Sequence, residues 1–465
     1  MHADEPGGTG RRTSRRGFLK SSAIAATGLM AAPIILKGAE DAAAPLNVAL
    51  IGAGTQGRVL ASQVMKNPGI RFKAVCDIWS YSQRYTSRRL KAYGHEAKVY
   101  EDYRDLLAEE KDLQAAIVAT PDWMHAEHTI ACLETGLHVY CEKEMSNDLA
   151  KARAMVRAAR KTGNLLQIGH QRRSNPRYLH AKEKLVKETG LLGRITQAYG
   201  QWNRSKQASK PRGYPKQKHP IDEATLQKYG YANDFQWRNW RWFRKYGGGP
   251  ICDLGSHQID VFGWFLGARP VSLYADGGAD YYDQYEWHDN VYALYRFETP
   301  AGTVRALYET FSATSARSYY ESFMGDEGTL SISENPGQCR VYAEGYLTPP
   351  TSQQAHPWQP WVDKGYLVPV PKDESKKEVD APKTLGEEML ALYRSPPPVA
   401  FLLGIEPEKN LHQAHLENFF SAVRGRAELT CPAEAGYETA VQVLKVHEAL
   451  EAGAPVALGE EDYRV

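Results

Sequence analysis

A short apolar run, Leu46 to Ile51, stops at Gly52-Ala53-Gly54-Thr55-Gln56-Gly57, and helical spacing resumes through Val59, Leu60 and Val64. A strand, a glycine turn and a helix in that order constrain the chain closely. The first glycine permits the tight turn, the second lets the backbone approach a pyrophosphate, and the third lets helix and strand pack closely. The helix N-terminus then turns its unpaired N–H groups and positive dipole end toward an anion. Asp77 ends a second apolar run, Phe72 to Cys76, 20 residues after Gly57. A carboxylate there accepts from the ribose hydroxyls of NAD and repels the extra phosphate of NADP. The setting, more than the glycine spacing alone, points to NAD.

The same alternation continues downstream. Ala115 to Ala119, Leu137 to Cys141 and Leu165 to Gly169 read as buried strands, separated by helical stretches at Ala126 to Thr135 and Asp148 to Lys161. Alternating strands and helices imply a parallel sheet covered on both faces. Beyond about residue 190 the texture changes. Ile195 to Trp202, Val271 to Ala275, Asn290 to Phe297 and Thr303 to Phe311 read as strands, the last two joined by a turn at Thr299-Pro300-Ala301-Gly302. Short turns between successive strands favour an antiparallel sheet. Residues 204–236 and 345–408 are expected to be long surface excursions, and the chain closes with helices at Leu411 to Val423 and Ala433 to Ala452. The expected fold class is therefore α/β: a Rossmann domain over residues 45–168, then an α/β domain over 169–465 with a large, mostly antiparallel open sheet.

Residues 1–44 read as a leader. Arg11, Arg12, Arg15 and Arg16 precede a modestly apolar run, Ala23 to Leu36, which is too short to span a bilayer permanently. Ser14-Arg15-Arg16-Gly17-Phe18-Leu19-Lys20 resembles a twin-arginine export signal, which implies the twin-arginine machinery as a partner and a periplasmic or otherwise exported location. The chain of 465 residues carries a net charge of +2, but residues 1–40 hold six basic and three acidic side chains, so the remainder sits near −1. Nothing in that balance attracts nucleic acid. The six cysteines show no paired spacing of the metal or redox kind, and neither a metal site nor a disulfide is expected.

Two segments carry chemistry. Tyr140-Cys141-Glu142-Lys143-Glu144 lies at a strand end, on the side where open parallel sheets bind ligands. Asp253-Leu254-Gly255-Ser256-His257 spaces Asp253 and His257 four apart, on one face of a helix. Trp237, Trp240 and Trp242, at near-helical spacing, are expected to pack in the core.

With these segments, the sequence from Leu46 onward resembles the glucose-fructose oxidoreductase / inositol dehydrogenase / MocA family. The shared motifs are the glycine turn, Ala119-Thr120-Pro121-Asp122 with His125, Cys141-Glu142-Lys143, Gly169-His170-Gln171-Arg172-Arg173 with Pro176, Gly247-Gly248-Gly249 before Asp253 and His257, and Gly325-Asp326-Glu327-Gly328-Thr329-Leu330. The resemblance implies that Lys143, Asp253 and His257 occupy the catalytic positions. It implies that Gly52, Gly54, Thr55, Gln56, Gly57, Asp77, Thr120, Pro121, His125, Glu142 and Lys143 hold NAD, and that the open sheet carries substrate and forms a homo-oligomer. Arg172, Arg173 and Tyr178 are candidates for reaching substrate hydroxyls. The family usually has proline after the lysine, where this chain has Glu144.

The chemistry agrees with those roles. Oxidising a secondary alcohol requires a base for the hydroxyl proton, and the imidazole of His257 titrates in a suitable range. Asp253 can orient the hydroxyl, and Lys143 can stabilise alkoxide charge. The expected activity is NAD-dependent oxidation of a secondary hydroxyl of a carbohydrate or polyol, with the cofactor tightly bound. Extra cover over the adenosine or pyrophosphate is expected, the segment before Leu46 being the nearest candidate. Two alternatives stand beside this: an NAD-dependent glycosidase using transient oxidation and elimination, and a non-catalytic binding protein that kept the fold.

Overall fold

A computed structural model describes residues 44–206, 219–349, 354–370, 384–393, 395–405 and 409–465. The export signal lies outside the described residues.

Leu46–Ile51 forms β1. Its last four residues are buried, as a central strand covered on both faces must be. The other strands of the first sheet are β2 (Ile70–Cys76), β3 (Lys98–Tyr100), β4 (Ala115–Val118), β5 (His138–Cys141) and β6 (Leu166–Ile168). They lie parallel in the order β3-β2-β1-β4-β5-β6. The order reverses beside β1, so a crevice opens at the carboxyl ends of β1 and β4, where doubly wound sheets bind their ligands. The connecting helices obey local rules. Helix Leu149–Thr162 starts where the Asp148 carboxylate accepts from the Lys151 N–H and ends at Gly163, whose φ of 71° suits the left-handed C-terminal position.

The second sheet comprises β7 (Ile195–Asn203), β8 (Pro270–Gly278), β9 (Asn290–Thr299), β10 (Gly302–Phe311), β11 (Tyr319–Gly325), β12 (Gly328–Ile332), β13 (Arg340–Ala343), β14 (Leu367–Pro369), β15 (Val399–Leu403) and β16 (Val456–Ala457). Their order is β14-β15-β13-β12-β11-β7-β10-β9-β8-β16. Among the described residues of this sheet, only β7 and β10 pair in parallel. Alternation is clear in β9: Val291, Ala293, Tyr295 and Phe297 point inward, while Tyr292 and Leu294 stand exposed on the open face. Helices Ser256–Leu266 and Ala433–Ala452 contribute the buried side.

Two expectations need correction. The stretch 345–408 is more than a surface excursion, because β14 and β15 within it extend the second sheet by pairing onto β13. The cofactor domain's own helices also leave part of its sheet to a later segment. Helix Leu411–Val423, far along the chain, packs Leu416, Phe419 and Phe420 against Val48, Leu60, Val64 and Phe72. Buried His415 fastens it: one ring nitrogen lies 2.9 Å from the Ile168 carbonyl and the other 2.7 Å from the Ser174 hydroxyl. Sequence periodicity reveals that helix and says nothing of which sheet it covers.

Replacing Phe419 with alanine is expected to destabilise the protein by about 3–5 kcal/mol, through lost transfer energy and the cavity left behind. Denaturant unfolding measures the change; a loss below ~1 kcal/mol would show that this helix is not part of the same cooperative unit.

Candidate active site

The glycine turn is built as a dinucleotide requires. Gly52 has φ +91°, and a Cβ there would sit 2.5 Å from the Ala119 carbonyl oxygen. A Cβ on Gly57 would strike the carbonyl oxygen of Gly52, whereas a Cβ on Gly54 meets nothing within 4 Å. The open position is therefore the one where a phosphate must approach. Helix Thr55–Val64 begins there without a side-chain cap and without an acidic residue in its first turn, leaving its N-terminal N–H groups to a ligand.

At the tip of β2, the Asp77 carboxylate accepts from the N–H groups of Ala53 and Trp79, both at 2.8 Å. Burial pushes its carboxyl up to about 6, against those two donors and the Arg58 charge. These features fit an adenosine ribose beside Asp77 and a pyrophosphate over Gly54.

A cavity of about 720 Å³ runs from this turn to the second sheet. Gly52, Gly54, Thr55, Gln56, Asp77, Thr120, Pro121 and Glu142 line it at one end, and Lys143, Asp253 and His257 at the other. Glu142 is buried and accepts from the Gln56 side chain at 3.0 Å and from the Lys143 N–H at 3.2 Å. The Lys143–Glu144 peptide bond is cis.

The catalytic candidates meet across the two halves. Lys143 Nζ donates to the Asp253 carbonyl at 2.6 Å and stands 3.7 Å from the Asp253 carboxylate. Asp253 sits in a widened, π-helical turn, Ile251–Gly255, and His257 in the first turn of the α-helix that follows. They do not share a face of one regular helix as the spacing suggested, yet both reach the cavity. Burial opposes the Asp253 charge, but Arg241, Arg204 and Lys143 together outweigh it and hold the carboxyl far below the ordinary carboxylate range. Arg241 bonds one oxygen at 2.9 Å and Arg204 the other at 3.0 Å. Burial, reinforced by Lys143, Arg172 and His170, pushes His257 well below the usual imidazole value. Its Nδ1 has no hydrogen-bond partner. A neutral imidazole beside an ammonium and an ionised, clamped carboxylate can take a proton from a bound hydroxyl.

Five candidates do not line the cavity, Gly57 among them because it packs beneath the turn against the Gly52 carbonyl. His125 does not reach the cavity; its ring nitrogens lie 2.7 Å from the carbonyls of Thr120 and Glu144, tying one cavity loop to the other. Arg172 is buried between Glu321 and Glu334, and the Tyr178 hydroxyl donates to Glu321 at 2.7 Å. Arg173 makes a bidentate pair with buried Asp260, which also accepts from Thr439. Buried cations are paired in this way because leaving them alone is costly, and none of these three side chains lines the cavity.

Asp122, part of a shared motif but assigned no role, lines the cavity, and so do Trp202, Arg204, Arg241 and Glu334, which sequence reasoning missed. Each of these four is distant in sequence from the trio it surrounds, so no local pattern marks them. Trp237, Trp240 and Trp242 all line the cavity, and of the three only Trp242 is also buried as expected. Among the described residues no cluster of three His, Cys, Asp or Glu side chains could hold a metal, and all six cysteines are buried and unpaired.

Comparison with known proteins is consistent with this architecture. The oxidoreductase family with an NAD-binding Rossmann fold matches residues 46–170, and the GFO/IDH/MocA C-terminal domain matches residues 179–331, together more than half of the chain. The chain belongs to the GFO/IDH/MocA oxidoreductase family. Residues 46–170 are thus its NAD-binding domain. The chain is 31% identical to inositol 2-dehydrogenase of Salmonella paratyphi B over 160 residues, covering 33% of this chain and 45% of that protein. It is 28% identical to D-glucoside 3-dehydrogenase of Escherichia coli over 229 residues, covering 49% and 56%. It therefore spans about half the length of the curated relatives it matches. Levoglucosan dehydrogenase, solved with NADH and levoglucosan, shares the fold at a TM-score of 0.62 and 18% identity, over 90% of this chain and all of that one.

NAD affinity is expected to fall as the pH drops through about 6, because protonated Asp77 loses acceptor capacity for the ribose. Calorimetric titration of cofactor-stripped protein at acid and neutral pH measures this. Asp77→Asn should bind NAD more weakly and with a flatter pH profile; an unchanged slope would assign the dependence to another group.

Proposed function

We propose that this chain is an NAD-dependent oxidoreductase that acts on a secondary hydroxyl of a sugar or polyol and keeps its cofactor bound between turnovers. The observation that carries the reading is the convergence of Lys143, Asp253 and His257 in the cavity that also holds the glycine turn and Asp77. Family relatives named for inositol and glucoside substrates support the substrate class.

NAD supplies the acceptor for a hydride from the carbinol carbon. His257 takes the hydroxyl proton; burial keeps its imidazole neutral but also makes it a weaker base than the sequence led one to expect, so it relies on Lys143 to acidify the bound hydroxyl. The Lys143 ammonium offsets the negative charge that develops on the substrate oxygen. Asp253, fixed by Arg204 and Arg241, keeps Lys143 in place and remains ionised throughout.

Incubation of the purified protein with a panel of free sugars, polyols and aryl glycosides, followed by absorbance of reduced nicotinamide, tests the reading. His257→Ala is expected to lower kcat by roughly two orders of magnitude with the fold intact. An unchanged rate would remove His257 as the base. Aglycone release without accumulation of reduced nicotinamide would assign the glycosidase chemistry instead, and bound NAD with no turnover on any substrate would leave a binding protein.

The proposal includes export. Ser14 to Lys20 carry the twin-arginine pattern, and a route for folded proteins suits a ligand captured before export. Replacing Arg15 and Arg16 with lysine should retain the protein in the cytoplasm. Fractionation with immunodetection reads the outcome, and undiminished export would refute the signal.

A further inference from the structure

Residues 219–242 were expected to lie mostly in a surface excursion, but they cross the cofactor end of the cavity. They contain two short helices, Glu223–Lys228 and Asp234–Arg238, and a turn at Trp240–Trp242. Their contacts are with the loops after β2 and β3, which carry Asp77 and Glu101. The Trp79 indole N–H donates to the His219 carbonyl at 3.1 Å, and the His219 ring stacks on Tyr81 at 4.6 Å. Trp237 meets Trp79 edge to face at 5.4 Å. Lys228 and the Tyr229 hydroxyl both bond Glu101, at 2.8 and 3.0 Å.

The aromatic packing holds this strap more firmly than the ion pair does. Side-chain exposure of 58% for Lys228 and 48% for Glu101 leaves that pair screened by water. By contrast, Leu226, Tyr231 and Trp242 belong to a separate buried cluster, against which Ile78 and Trp123 of the NAD-binding domain pack. Tyr229, Trp237 and Arg238 line the same cavity as Gly54 and Asp77.

Asp77 marks where the adenosine ribose lies, and Trp79, two residues on, touches Trp237. The adenosine half of the ligand therefore lies beneath the strap. We propose that residues 219–242 complete the NAD site, with Trp237 and Tyr229 covering the adenosine half so that the cofactor cannot exchange until the strap parts from Trp79 and Glu101. This rests on the reading of the chain as an NAD enzyme; residues 1–43 of the segment before Leu46, expected to supply cover, lie outside the described residues. An enzyme closed in this way regenerates its cofactor in place, by reducing a second substrate or by returning the hydride to the first.

The test uses the full chain loaded with tritiated NAD and chased with unlabelled NAD, release being followed by filtration. Wild-type protein is expected to release label over hours, and Trp237→Ala roughly tenfold faster or more, with association changed less. Trp237→Phe should restore most of the slow release. Glu101→Ala, which removes the bonds to Lys228 and Tyr229 while leaving the Trp79–His219 bond and the aromatic cluster, should accelerate release several-fold and serves if Trp237→Ala fails to fold by circular dichroism. Release from wild type within seconds, or wild-type release rates in the variants that fold, would overturn the proposal. No sugar enters this assay, so an absence of dehydrogenase turnover would sink the proposed function while leaving the strap result intact.

Discussion

The contact between Lys143 Nζ and the Asp253 carbonyl joins the two halves of the molecule where the cofactor end of the cavity meets the substrate end. Lys143 follows β5 of the parallel sheet, and Asp253 lies in the widened turn before helix Ser256–Leu266 of the second layer. Neither half contains a site alone. The parallel sheet supplies a helix N-terminus and Asp77; the second layer supplies His257 and the two arginines. Because the bond is short and largely buried, a shift of either layer would separate the proton acceptor from the charge that assists it.

Burial then sorts the carboxyl groups around that contact. Asp253 is held ionised by three cations, whereas burial pushes Asp122 up to about 7 and Glu144 up to about 8. The difference lies in the partners. Glu144 accepts from the Met145 N–H through one oxygen and leaves the other, buried, without a partner, so its neutral form is favoured. Side chains of one chemical type thus hold different charges within one site. The Arg172–Glu321 and Arg173–Asp260 pairs lie behind it and fix the second sheet and its helices rather than touching a ligand. They illustrate how basic residues in a site-like motif can be consumed by structure.

The NAD-binding domain depends on surfaces supplied from elsewhere in the chain. Part of its sheet is covered by helix Leu411–Val423, and Ile78 and Trp123 pack against the buried cluster of Leu226, Tyr231 and Trp242. Both surfaces come from sequence well beyond the first sheet. Folding of the cofactor site consequently depends on contacts of high sequence separation, which close large loops at an entropic cost that rises slowly with length.

The sequence by itself determined the strand-turn-helix of Leu46 to Val64, the place of Asp77, the parallel alternation to Gly169 and the antiparallel pairing of β9 with β10. Each is encoded within a few contiguous residues, as a periodicity or as a backbone conformation that only glycine accepts. Lys143, Asp253 and His257 were singled out by the resemblance to the family, and the structure brings the three to one cavity. Tertiary structure alone decided that His125 braces two loops, that Arg172 and Arg173 are buried in ion pairs and Tyr178 in a hydrogen bond to Glu321, that Arg204 and Arg241 clamp Asp253, and that Trp237 lines the cavity beside Trp79. Those outcomes depend on which distant surfaces pack together and how much water they exclude, and neither quantity is written in local spacing.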